Sequence, residues 1–261
     1  MTTQTIANPT KALIDCTLHL ADTTLILAQR NSEWCAHGPI LEQDIAITNI
    51  SLDLLGQSRN FYQYAASVMN DIAGKKETED SLAYFRTERE YKNLLITELP
   101  NGDWARTILR QFFFSVYQSA LYEQLTQGSD SQLAAIAEKS LKEIAYHIKW
   151  SSEWVIRLGD GTAESHERMN NALNYLWEYT GEFFMPADYE TDAHGNGYPD
   201  LVKLKDHWLE KVSAVLNEAT LSTPLNTYMH SGGKTGMHTE HLGFILAEMQ
   251  SLPRTYPTAE W

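Results

Sequence analysis

The chain has 261 residues, 43% of them hydrophobic, which is enough for a single domain with a well-buried core over residues 1–261. Its net charge of −14 repels nucleic acid and anionic lipid, so proteins and small molecules are the expected partners. Two cysteines, no signal-peptide pattern and no apolar run long enough to cross a bilayer favour a cytoplasmic protein without a disulfide framework.

Apolar residues recur at helical spacing along the first half of the chain. The pattern predicts a first helix over Ala12 to Arg30 and a second that begins after Pro39. The second helix has two apolar faces, so it should pack on more than one side. One face carries Leu41, Ile45, Leu52 and Leu55, and the other carries Ile47, Ile50, Leu54 and Phe61. A polar stretch over residues 74–80 ends this helix, and a third helix is predicted from Leu82 to the stop at Pro100.

Helical spacing also dominates the second half of the chain. Asp103 is the predicted N-cap of a fourth helix from Trp104 to about Gln127, and a fifth helix follows from Gln132 to Leu158. Further helices are predicted at Ala163 to Phe184, Leu201 to Glu218 and His238 to Gln250. Glycine, proline and aspartate between Met185 and Asp200 predict a loop.

The order of these helix lengths predicts the fold. Two long helices, a crossover of about thirty residues and two more long helices are typical of a four-helix bundle with one long crossover, as in ferritin-like proteins. We therefore predict an all-α, ferritin-like four-helix bundle with additional C-terminal helices.

A ferritin-like bundle raises the question of a di-iron site, which uses Glu-x-x-His pairs on two helices. The sequence contains no Glu-x-x-His or Asp-x-x-His. Glu143 and His147 lie four residues apart, but the second helix has no histidine near Asp53, so His147 is better interpreted as a core residue. The pair His238 and His241 could contribute to a zinc site, although no convincing further ligands lie nearby and helix capping or an interface is favoured.

Several segments resemble a known family, the C subunits of bacterial phenylacetyl-CoA 1,2-epoxidases. The resemblance covers nearly the whole chain, and its most specific part is the C-terminal string that starts at Gly232. The matching segments are residues 31–39, 49–60, 99–102, 142–147, 232–234, 238–243 and 247–250, and Trp261.

In that family the C subunit is a paralogue of the catalytic A subunit, which holds the di-iron site. Comparison with the catalytic pattern implies that the former ligand positions are Thr24, Leu54, Gln57, Ser115, Ile144 and His147. One surviving histidine cannot hold two irons, so we expect no metal and no catalysis in this chain. Because clustered buried carboxylates repel one another, their replacement relieves strain. We expect Asp53, Gln57 and His147 to find hydrogen-bond partners instead.

The resemblance also implies a complex that epoxidises phenylacetyl-CoA with oxygen and NADPH. A separate reductase with flavin and an iron–sulfur centre would supply electrons, and the di-iron subunit would pair with this chain as a heterodimer within a larger assembly. This chain would stabilise its partner through a large interface. The resemblance further implies possible contacts of the acyl-CoA with Glu90, Tyr91, Lys92 and Asn93.

Other interpretations remain open. Arg86, Arg89 and Lys92 recur every three residues of the predicted third helix, so they could attract CoA phosphates or form an ordinary solvated face. The chain could instead be an active di-metal oxidase with unusual ligands, namely Glu143, His147, Glu123 and Asp53. It could also be a helical scaffold without an oxygenase partner.

Overall fold

The computed structural model describes residues 8–73, 76–195, 197–225 and 227–259. Trp261 and the start of the predicted polar stretch at residues 74–75 lie outside these ranges. The α-helices are α1 (Asn8–Ser32), α2 (Leu41–Ala73), α3 (Glu79–Tyr84), α4 (Leu95–Glu98), α5 (Trp104–Leu125), α6 (Ser131–Gly159), α7 (Ala163–Trp177), α8 (Asp188–His194), α9 (Leu201–Glu218) and α10 (Glu240–Thr255). Short 3-10 turns lie at Glu88–Glu90, Thr180–Phe184 and Gly233–Thr235.

The four long helices form two hairpins that pack into one bundle. α1 packs along α2, α5 packs along α6, and α2 also contacts α6. The inward faces are apolar, and Ile26, Leu54, Phe113 and Ile144 are completely buried. The prediction of an all-α, ferritin-like four-helix bundle with one long crossover is confirmed. None of the helices in the described ranges is long and apolar enough to cross a membrane.

The second hairpin begins where the sequence predicts, and its other helix ends differ from the prediction by one or two residues. The Asp103 carboxylate accepts a hydrogen bond from the Arg106 amide at 3.0 Å, so Asp103 is the N-cap of α5. Asp130 caps α6 in the same way, because it accepts from the amides of Gln132 and Leu133. These caps fix the ends of the two helices that supply half of the bundle interior.

The crossover differs from the prediction of one helix from Leu82 to Pro100, which is wrong. The chain forms short α3, a 3-10 turn and one turn of α4, with extended backbone between them. The physical reason is that backbone amides of this segment donate hydrogen bonds to buried carboxylates. The Lys92 amide donates to Asp22 at 2.8 Å and the Leu95 amide donates to Glu182 at 2.7 Å. An amide committed to a side chain cannot complete a helical ladder.

Two further boundaries need correction. The predicted helix from Ala163 to Phe184 ends at Trp177, and a 3-10 turn continues it. The predicted loop from Met185 to Asp200 contains α8, whose seven residues are too few to give a helical pattern in the sequence. α8 packs against α1 and therefore covers one side of the bundle.

The C-terminal segment returns across the crossover. α10 starts at Glu240, two residues later than predicted, with Thr239 as its N-cap. In the preceding loop, a side chain at Gly233 would overlap the carbonyl oxygen of Asn93, and one at Gly236 would overlap that of Arg89. Glycine is required at both positions because the loop backbone lies directly on the crossover.

Candidate functional site

The six predicted former ligand positions lie inside the four-helix bundle. Each side chain is at most 2% exposed, and each of the four long helices contributes at least one. The set is Thr24, Leu54, Gln57, Ser115, Ile144 and His147. The hydrogen bonds of its polar members go to residues outside the set. The Thr24 hydroxyl donates to carbonyls of its own helix, at Leu20 and Ala21, and Ser115 accepts from the Gln111 side chain at 2.9 Å.

A row of amide side chains crosses the interior around Gln57. Gln118 of α5 donates to the Gln57 oxygen at 2.8 Å, and Gln57 donates to Glu143 of α6 at 2.8 Å. Gln118 also lies 3.1 Å from the Tyr122 hydroxyl. Burial raises the pKa of Tyr122, which keeps its hydroxyl neutral. Directional hydrogen bonds therefore connect α2, α5 and α6 at this level.

His147 is hydrogen-bonded at the edge of the bundle. Its Nε2 lies 3.0 Å from the Asp53 carboxylate of α2 and donates to it. His147 is fully buried, whereas the Asp53 side chain is 35% exposed. The Asp53 charge is therefore partly solvated, and the pair joins α2 to α6. Asp53, Gln57 and His147 all have hydrogen-bond partners, as we expected.

These residues do not fit a di-iron centre. Two irons in such a bundle are held by carboxylates and histidines that project inward from all four helices. Here the six positions supply one imidazole and no carboxylate, while Asp53 and Glu143 are bonded to His147 and Gln57. Glu123, suggested as an alternative ligand, accepts from Ser119. Within the described ranges, no three His, Cys, Asp or Glu side chains are grouped to hold a metal.

The four suggested substrate contacts lie in the crossover, and only some of them reach its surface. Tyr91 and Asn93 are completely buried, where Tyr91 donates to the Ala83 carbonyl and Asn93 donates to Glu98. Glu90 is exposed, and its carboxylate accepts from the amide and hydroxyl of Thr87. Lys92 is half-buried. The possible role of these residues in substrate binding stays a prediction.

The suggested basic row of Arg86, Arg89 and Lys92 does not exist as one face. The segment is not a continuous helix, and the Arg86 guanidinium turns inward to pair with Asp22 and to cover the Tyr91 ring. Arg86 is therefore a structural ion-pair partner. The sequence spacing gave no sign of this because the counter-charge lies on α1, 64 residues away.

Lys92 instead faces a cleft between α1, α8 and the C-terminal loop. Its ammonium lies 3.5 Å from Asp15 and 4.9 Å from the centre of the Tyr189 ring. The cleft has a volume of about 290 Å³, and its lining also includes Lys11 and Lys234 together with Asp188 and Asp192. Lys234 is buried and bonded to Glu190 at 3.0 Å. Sequence reasoning identified Lys92 but missed the residues from α8 and the C-terminal loop.

His238 has a structural position and both of its ring nitrogens are used. Nδ1 lies 2.9 Å from the Glu98 carboxylate and Nε2 lies 3.0 Å from the Tyr91 carbonyl. Burial opposes the charged form, but the hydrogen bond and charge of Glu98 outweigh it and raise the pKa of His238. With two acceptors facing its ring, His238 is held as an imidazolium, which is a poor zinc ligand.

Comparison with known proteins gives a family for the whole chain. The family model described as "Phenylacetic acid catabolic protein" matches residues 1–261. The chain is also 46% identical over 246 residues to the C subunit of the 1,2-phenylacetyl-CoA epoxidase of Escherichia coli (strain K12). That match covers 94% of this chain and 97% of the relative. This chain therefore belongs to the phenylacetic acid catabolic protein family.

Proposed function

We propose that this chain is a non-catalytic, structural subunit of a 1,2-phenylacetyl-CoA epoxidase in phenylacetate catabolism. The observation that carries the proposal is the interior of the bundle, where Thr24, Leu54, Gln57, Ser115 and Ile144 are buried at the positions that the family resemblance implies for the iron ligands. These side chains form a packed, hydrogen-bonded core. The 46% identity to the C subunit of an epoxidase of this kind supports the same assignment.

The chemistry then takes place in a paralogous di-iron subunit, which pairs with this chain as a heterodimer within a larger complex. Iron in that partner would supply the oxygen chemistry, and NADPH would supply electrons through a separate reductase with flavin and an iron–sulfur centre. This chain keeps the partner folded and soluble. We place the complex in the cytoplasm, in keeping with two cysteines that are both free.

The proposal can be tested by expressing this chain and its di-iron paralogue separately and together. We expect the two to co-purify, with iron and epoxidation of phenylacetyl-CoA only where the paralogue is present. His147→Leu should leave the iron content of the complex unchanged, because the iron belongs to the partner. Stoichiometric iron and substrate oxidation in this chain alone would favour the di-metal oxidase. A failure to co-purify would favour a scaffold without an oxygenase partner.

A further inference from the structure

One apolar face of α2 is buried in the structure and the other is exposed. Ile47, Ile50, Leu54 and Phe61 are completely buried against the rest of the bundle. On the outer face the large side chains stay open to solvent, with exposures of 72% at Leu41, 51% at Ile45, 60% at Leu52 and 40% at Leu55. We refer to these four residues as the α2 stripe.

The α2 stripe has the form of a helix-docking face. Its members follow one another at intervals of four, seven and three residues, which places them on one side of the helix over three turns or more. Exposed aliphatic side chains in such a row are costly in water and mark an interaction surface. Tyr146, 47% exposed on α6, extends the apolar surface beyond the Asp53–His147 pair.

Gly56 supports this interpretation independently. It lies in the middle of α2, next to Leu55, where glycine weakens a helix relative to alanine. A side chain at this position would meet nothing within 4 Å among the residues that the structure describes. No contact with those residues therefore explains the glycine, whereas the close approach of a second helix would require it.

Size and charge indicate what kind of molecule covers the stripe. The helix face from Leu41 to Arg59 is about 27 Å long, which matches the face of another long helix. A stable interface buries about 800 Å² on each side, so the covered area must continue onto α6 around Tyr146. A second copy of this chain is disfavoured because each copy brings a net charge of −14.

We propose that the α2 stripe is the surface on which the paralogous di-iron subunit docks one of its long helices. This inference rests on the proposed function, since it assigns a surface to the heterodimer. Leu52 would lie near the centre of the contact, and Gly56 would mark the closest approach of the two helix backbones.

The first test measures binding of purified variants to the di-iron subunit. Leu52→Asp should raise the dissociation constant roughly 30-fold or more, because it places a charge at the centre of an apolar contact. Val202→Asp is the matched control, since Val202 is also 60% exposed but lies on α9. It should bind like the unmodified chain.

The second test uses Gly56→Leu, which has open space in the free chain. It should leave the unfolding temperature unchanged or raise it, while weakening binding to the di-iron subunit by roughly 30-fold. If Gly56 had only a structural role within the chain, the substitution would not weaken binding while leaving the unfolding temperature unchanged.

The outcomes of these tests distinguish an error in the assigned surface from an error in the proposed heterodimer. Normal binding by both Leu52→Asp and Gly56→Leu would overturn the assignment of the surface and leave the pairing intact. No binding by the unmodified chain would overturn both. If the unmodified chain forms a dimer that Leu52→Asp dissolves, the stripe belongs to a second copy and the proposed occupant is wrong.

Discussion

Buried carboxylates organise the crossover and the C-terminal loop, and each is compensated in a different way. Asp22 pairs with Arg86, Glu98 with His238, and Glu190 with Lys234. Glu182 instead accepts from the amides of Leu95, Gly232 and Gly233. Because an uncompensated buried charge is very unfavourable, each of these residues should be intolerant of losing its partner.

The His238–Glu98 pair gives a prediction of pH dependence. The pKa of His238 is raised on folding, so the pair contributes its full stabilisation below the unfolded pKa of about 6.5. That contribution is lost as the pH rises through the folded pKa. We expect the free energy of unfolding, measured in urea, to fall by about 2 kcal/mol more for the unmodified chain than for His238→Gln between about pH 6 and pH 9.

The exposed residue His37 provides a control, since its ring bonds the nearby Cys35 carbonyl. His37→Gln should keep the pH dependence of the unmodified chain. Equal slopes for the unmodified chain and His238→Gln would show that the imidazolium contributes nothing to stability.

Lys92 gives a prediction for substrate binding. If the acyl-CoA enters the cleft that Lys92 lines, Lys92→Glu should weaken the binding of phenylacetyl-CoA to the assembled complex by about tenfold, because a phosphate loses an attractive charge. Isothermal titration of the complex measures this. Lys203→Glu, which makes the same charge change at an exposed position on α9, should bind normally. Unchanged affinity for both variants would assign Lys92 to its contacts with Asp15 and Tyr189 alone.

At the level of secondary structure, the long helices could be predicted because their periodicity and caps are local. The predicted range Leu201 to Glu218 agrees with α9 at both ends. The crossover could not be predicted, because its conformation depends on carboxylates at Asp22 and Glu182 that are distant in sequence. A helical spacing of apolar residues does not reveal that an amide is already bonded elsewhere.

Two glycines on different elements should respond oppositely to alanine. Gly56→Ala should raise the free energy of unfolding by about 0.8 kcal/mol, since α2 gains helix propensity and the new methyl group meets open space. Gly233→Ala should lower it by about 2 kcal/mol, since its methyl group overlaps the Asn93 carbonyl. Urea denaturation measures both changes. A similar loss at the two positions would contradict the difference in packing.

For the whole molecule, the sequence indicates which side chains stand in the bundle but not how they are joined. The expectation that Leu54 and Ile144 stand in place of iron ligands can be read from the family resemblance. The bond from Gln118 to Gln57 cannot, because it depends on the rotation of α5 relative to α2. Likewise, two apolar faces on α2 predict packing on two sides, whereas only the structure distinguishes the buried face from the exposed one.

The return of the C-terminal loop across the crossover has a consequence for biosynthesis. The loop near residue 235 covers the crossover near residue 90. The ribosome must therefore add about 140 amino acids after the crossover before the covering loop has been synthesised. Both bundle hairpins emerge from the ribosome well before that point. The nascent chain can thus assemble its four long helices first, and the crossover is enclosed only when translation is nearly complete.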